Sequence, residues 1–300
     1  MHSLQRKFLA VSAFVLSASG VSAQSVPMTL LQASMFDLAP ESQKTFQVRS
    51  AGSYVGEGDF KDESGAISSY NVDVSFVGNI FLAEDVLLAL GAGYNRFEFD
   101  YSGNAPIGPE TLQAVSGIIS LEYLVNGQPA ALIRARPGFY YSDDIHSDAF
   151  DVPTVASIGF NITKGLIGVV GVTYSHLRKN APVLPIAGFI WDINPQWQVY
   201  GIAPEPRVIY KPNQDLQLFT GLEITGGSYH LGDDLKEYEG DTVNYNEIRI
   251  GAGVNYTGWD PLTLEVHAGW TIYREMDYES YPDQEIEGAP YIKLKANMNF

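Results

Sequence analysis

Apolar and polar residues alternate with a period of two along almost the whole chain, and only an extended strand sends successive side chains to opposite faces. Over residues 68–82, Tyr70, Val72, Val74, Phe76, Ile80 and Leu82 share one face, and Ser69, Asn71, Asp73, Ser75 and Asn79 the other. Over 115–125, Val115, Ile119, Leu121, Tyr123 and Val125 oppose Ser116, Ser120 and Glu122. The same period predicts strands over 131–141, 154–162, 166–174, 216–224, 248–256 and 262–272. One departure stands out. After Tyr94 the apolar residues change face, to Phe97, Phe99 and Tyr101, which predicts either a bulge or a strand passing out of a membrane.

The connections are of two kinds, and they take turns. "LAEDV", "VNGQP", "TKG", "INPQW", "KPNQD" and "TGWDP" carry the Asn, Gly, Asp and Pro that tight turns require. "EGDFKDE", "DDIHSDAFD", "DDLKEYEGD" and "DYESYPDQEIE" are longer and acidic. Short turns at one end and long loops at the other belong to a transmembrane β-barrel, whose apolar face looks outward. A soluble sandwich turns that face inward and mixes its loop lengths. Two tight turns, "INPQW" and "KPNQD", are separated by only residues 197–210, so the chain must reverse between them. The proline-bounded Pro204-Glu205-Pro206 is the natural place, because proline cannot donate to a strand ladder. The expected fold is therefore an all-β, closed antiparallel barrel of 12–14 strands over residues 44–300, with short periplasmic turns and acidic extracellular loops. If the short hairpin around Pro204 does not span, the count is 12; if it counts in full, 14.

The N-terminal segment agrees. "MHSLQRKFLAVSAFVLSASGVSAQ" has a basic start, a short apolar run and small residues before Gln24, the layout of a cleaved secretory signal over 1–23. Residues 24–43 have a mixed apolar pattern and are expected to form an arm or partial plug. Past the signal no apolar run reaches the ~20 residues of a membrane-spanning helix. With no cysteine the exported chain has no disulfides to lean on, and a closed ladder supplies the alternative network. A formal net charge of −17 excludes nucleic acid as a partner, since phosphates would meet like charge. With 45% hydrophobic and 12% aromatic residues, the chain is not a disordered acidic tail either.

Two resemblances enter on particular residues. "YIKLKANMNF", with Ile292, Leu294, Met298 and Phe300 alternating after Tyr291, resembles the C-terminal recognition signal of outer-membrane barrels. That likeness implies delivery to the barrel-assembly machinery. The stretch 183–231, carrying Leu184-Pro185, Gly188, Trp191, Trp197, Pro204, Pro206, Tyr210 and Gly226-Gly227, resembles a family of uncharacterised bacterial barrel proteins known only as a domain of unknown function. This implies fold and location and brings no catalytic residues.

Alternation also sorts the polar face. Glu122, Arg134, Arg136, Glu247, Arg249, Glu265, His267, Lys293 and Lys295 are predicted to line the lumen. Cross-strand neighbours on one face stand ~5 Å apart, close enough for opposite charges to pair. Such a set either fills the barrel with its own ion pairs or forms a constriction that selects solutes. In the outer loops, Asp143, Asp144, Asp148, Asp233 and Asp234 are weak candidates for binding divalent cations, whose bridging would relieve repulsion from lipopolysaccharide. Solvated loops kept soluble by charge are the plainer reading, as no Asp-x-Asp loop motif occurs. His146 lies among these aspartates, but no nucleophile faces a base: Ser175 and His176 are adjacent in a strand and point apart. No residue pattern calls for a cofactor, and the chain is not expected to be an enzyme. The expectation is an outer-membrane barrel, a pore or transport-type channel for small polar solutes, or else a structural or surface-interaction barrel with a closed lumen, with a membrane-embedded hydrolase as the third and least favoured alternative.

Overall fold

A computed structural model describes residues 44–300, apart from 126–127, 180 and 233–239. The expected signal, the 24–43 segment, Asp233 and Asp234 lie outside the described residues.

Alternation becomes fourteen antiparallel strands. They are β1 (Phe46–Asp59), β2 (Ala66–Ala83), β3 (Val86–Ser102), β4 (Thr111–Val125) and β5 (Gln128–Ala135, resuming as Gly138–Tyr141). Then come β6 (Phe150–Asp151, resuming as Thr154–Thr163), β7 (Leu166–Tyr174), β8 (Val183–Asn194), β9 (Trp197–Tyr200) and β10 (Arg207–Tyr210). Last are β11 (Leu216–His230), β12 (Thr242–Trp259), β13 (Leu262–Tyr278) and β14 (Gln284–Ile286, resuming as Pro290–Asn299). Each pairs with the next, and β14 returns to β1, Gln47 opposite Asn299 through Val55 opposite Tyr291. The ring is closed, so the wall has no free edge along that seam. Both counts expected from the sequence contain part of the answer: there are fourteen strands, and β9 and β10 are four residues each, too short to span.

The outer face is apolar. Val72, Phe76 and Ile80 on β2, Ile119 and Leu121 on β4, Ile158 and Phe160 on β6, and Val266 and Trp270 on β13 are all exposed. Keeping ~100 Å² of such surface in water costs about 2.5 kcal/mol, so a belt of this size belongs in hydrocarbon. No helix among the described residues is long and apolar enough to cross a membrane; the strands do the crossing. Trp197 and Trp259 stand exposed beside tight turns, where an interfacial aromatic girdle is expected.

The phase change after Tyr94 has a clear cause. The β2–β3 register runs without a shift from Ala66 opposite Ser102 to Phe81 opposite Leu87, so there is no bulge there. Leu88 and Leu90 face out at one end of β3, whereas at the other Arg96, Glu98 and Asp100 face out and Phe97 and Phe99 face in. The strand leaves the apolar belt and its faces exchange roles. Tyr101 goes with them, its ring stacked on Phe60 and its hydroxyl donating to the Pro109 carbonyl, so it is not part of a girdle.

This exchange recurs around the long-loop end. There β5 and β11 meet directly, His230 beside Tyr141, and Phe60 of the β1 extension bridges Ile286. Strands β11 to β14 and β1 to β5 thus close a second ring of nine strands above the first, and barrel diameter grows with strand number, so this ring is the narrower. Its interior is a packed apolar core: Ile67, Phe97, Phe99, Leu112, Tyr229, Val243, Tyr245 and Met276 are all buried. Phe97 and Phe99 each pack edge-to-face with Tyr245, at centroid distances of 5.2 and 5.1 Å. Gly226 allows β11 to bend into this ring: its φ is +126°, and a Cβ there would overlap the Tyr245 carbonyl oxygen.

Candidate functional site: the charged lumen

Beneath the apolar core, the interior of the fourteen-strand ring is lined by charge. Successive strands contribute inward-facing positions at similar heights, so side chains of opposite sign meet across each ladder. The Arg207 guanidinium, at the start of β10, bonds both oxygens of Glu265 at 2.8 and 3.0 Å and Glu205 at 2.6 Å. Lys295 bonds Glu205 at 2.6 Å and lies 3.6 Å from Glu265. Glu205 and Glu223 face each other across β10 and β11, an arrangement that would repel, and Lys293 stands between them. It bonds Glu223 closely and is 3.7 Å from Glu205. Arg249 donates to Glu247 at 2.5 Å and lies 3.7 Å from Glu223. Tyr245 closes the top by donating to Glu247.

Of the residues picked from alternation, Glu122, Arg136, Glu247, Arg249, Glu265, His267 and Lys293 are buried, and Arg134 and Lys295 nearly so. Glu247, Arg249, Glu265, His267, Lys293 and Lys295 join this one network, with His267 hydrogen-bonded to Tyr291 at 2.9 Å. Glu122 and Arg134 form a separate pair, 3.0 Å apart, on β4 and β5, and Arg136 is buried one turn of the pleat above. Four members were not anticipated: Glu205, Arg207, Glu223 and Arg274. Parity would have found Glu223, which shares the inward phase of Phe219, and would have failed for Glu205, which sits in a turn. Arg274 was hidden by a register shift. Thr271 pairs with Arg249 and Tyr273 with Ile248, so the extra residue Ile272 moves Arg274 to the inward face. Tyr291, read as part of the C-terminal recognition strand, points into the lumen, while Ile292, Leu294, Met298 and Phe300 are exposed outside. Among the described residues no three His, Asp or Glu are grouped to hold a metal ion, so Asp143, Asp144 and Asp148 do not converge on one.

Among the cations of the network, exposure falls along the axis. Side-chain exposure is 16% for Lys295, 6% for Lys293, 2% for Arg249 and 0% for Arg274. Within the network the short-turn side is therefore the more accessible and the Glu223–Arg249 layer is shut, with the apolar core above it; nearer the short turns Gln47, Asn299 and Leu124 are buried again. The opposite inner wall is different in kind. Val155, Val169 and Ile186, from β6, β7 and β8, form an apolar cluster with Ile202, which follows β9. One side of the lumen is ionic and the other oily.

No family model matches the chain, and no curated protein does. Among solved structures, an outer membrane channel from Pseudomonas putida F1 is 10% identical, with a TM-score of 0.49, over 90% of this chain and all of that one. A bacterial polysaccharide outer membrane secretin is 11% identical, with a TM-score of 0.43, over 86% of this chain and 99% of its own. The NanC porin is 8% identical at 0.38, over 84% and 100%.

Proposed function

We propose that this chain is an outer-membrane transport barrel, with its tight turns in the periplasm and its acidic loops outside, and that its ionic lumen is the closed state of a passage for small polar solutes. The observation that carries this reading is the graded burial from Lys295 to Arg274: partly accessible charges lead to a shut layer. A purely structural barrel has no need of that gradient. Selectivity follows from the charge count. In the main network Arg207, Arg249, Arg274, Lys293 and Lys295 face Glu205, Glu223, Glu247 and Glu265, leaving an excess cation within a chain of net charge −17. The passage favours anions, because a fixed charge in a low-dielectric channel draws its counter-ion.

Planar-bilayer recording tests this. Discrete channel steps with a reversal potential displaced toward the anion side are expected, and silence across a range of salts would overturn the reading. The packed aromatic core of the outer ring favours a second reading, a surface-interaction barrel with a permanently closed lumen, and such silence would support it. In either case lipid and lipopolysaccharide surround the belt, and the exposed face of Ile292, Leu294, Met298 and Phe300 serves recognition by the assembly machinery.

A further inference from the structure

The wall has a weak place, and it lies where the lumen is shut. Strand β9 is paired to β8 only as far as Gly201, which exchanges two hydrogen bonds with Phe189 at 2.7 and 3.3 Å. On the other side the last bond from the hairpin runs from the Ile224 amide to the Pro204 carbonyl, 2.8 Å. Beyond these points β8 is paired with β7 alone, up to Val183, and β11 with β12 alone until His230 meets Tyr141, among the described residues. Pro185, with no amide to leave unbonded, occupies the free edge of β8. The β8 edge, with Val183 exposed among the outward apolar residues, borders the hydrocarbon belt, and the β11 edge faces it from the start of the upper ring; an unpaired backbone group in hydrocarbon costs several kcal/mol.

The tip that fills this notch, Gly201 to Pro206, is held by two side chains of opposite character. Ile202 is fully buried against Val155, Val169 and Ile186. Glu205 reaches the other way, to Lys295, Lys293 and Arg207. We propose that this tip is a flap in the barrel wall, and that its outward movement joins the lumen sideways to the outer leaflet for an amphiphile with an anionic head. This rests on the transport reading above and adds the route and the ligand class. With Glu205 in place, Arg207, Lys293 and Lys295 are matched by Glu205, Glu223 and Glu265. When it leaves, one cation is unmatched beside an apolar cluster that has lost Ile202. A carboxylate or phosphate head replaces Glu205 and an alkyl tail replaces Ile202.

The chain has no cysteine, so single thiols report cleanly. In Ile202→Cys protein reconstituted into vesicles, a long-chain alkyl maleimide confined to the bilayer is expected to label the site, and a charged aqueous thiol reagent to label it more slowly. Adding Glu205→Gln raises the lipid-phase rate roughly tenfold, since the tip loses its buried ion pairs. Dodecanoate accelerates labelling and acetate does not. Exclusive labelling by the aqueous reagent, or equal effects of dodecanoate and acetate, would overturn the proposal. If Ile202→Cys fails to assemble, the pair Phe189→Cys with Gly201→Cys serves instead. Those residues are directly opposed in the ladder, and the atoms a Gly201 Cβ would meet belong to the Phe189 ring that the substitution removes. The oxidised pair is expected to abolish dodecanoate binding, measured by calorimetry, and the reduced pair to retain it; unchanged binding in the oxidised form refutes the flap. Channel steps recorded with the oxidised pair separate the two readings, because an axial pore conducts with the flap tied.

Discussion

Arg249 carries two carboxylates, Glu247 at 2.5 Å and Glu223 at 3.7 Å, with its guanidinium over the Tyr291 ring. Removing one member of a buried ionic set leaves the rest desolvated and unmatched, which costs more than the pair gains. Arg249→Leu is therefore expected to destabilise the barrel by about 3–5 kcal/mol, read from the urea midpoint in lipid vesicles. Adding Glu247→Gln should recover part of that loss, and a simple sum of the two effects would show that the contacts do not act as one network. Lys295 is different, because it is the most accessible cation of the set. Lys295→Gln should cost less stability than Arg249→Leu and move the reversal potential under a salt gradient away from the anion side. At this scale most of the site could be read from alternation alone. Glu205 could not, since a residue in a turn has no strand phase, and Arg274 could not, since the shift at Ile272 depends on the partner strand.

Strands β3 and β13 show what an element decides for itself. Strand β3 keeps a strict alternation while its environment changes partway along, so the face that meets lipid below meets water above; β13 instead resets its alternation at Ile272. Leu294, outward on β14 amid the apolar belt, and Asp100, outward on β3 beyond it, should respond oppositely to the same change. Leu294→Arg is expected to cost ~2–4 kcal/mol and Asp100→Arg less than ~0.5, both measured by unfolding in vesicles. Above the belt, burial and the nearby Asp283 push the Asp277 carboxyl up to about 6, although Asn244 donates to it. A carboxyl that holds its proton more tightly folded than unfolded contributes its full stability below its ordinary pKa and loses it as pH rises through the folded value. Amide exchange in the β12–β13 extension should accordingly quicken between pH 4 and pH 7. Asp277→Asn should flatten that trend; an unchanged slope would place its origin elsewhere.

On the scale of the whole molecule, two stacked rings divide the labour: fourteen strands around charge, nine around an aromatic core, joined where β6 to β10 stop short. The Glu223–Arg249 layer and the filled upper ring above it close the passage axially, and shortening β9 and β10 is what leaves the wall weak at its side. Trimming the upper core, as in Tyr245→Ala, should raise single-channel conductance if closure is axial and leave it unchanged if the side flap alone controls access. The sequence by itself determined the strand period, the alternation of short and long connections, the outward turn of the apolar face and the inward turn of most charges, because each follows from side chains alternating along one strand. Only the tertiary structure decided that nine strands close a second ring, that Glu205 reaches back to Lys293 and Lys295, and that β8 and β11 stand unpaired above the hairpin. Those facts depend on which strands meet across the barrel, and a local period of two carries no record of a partner 90 residues away.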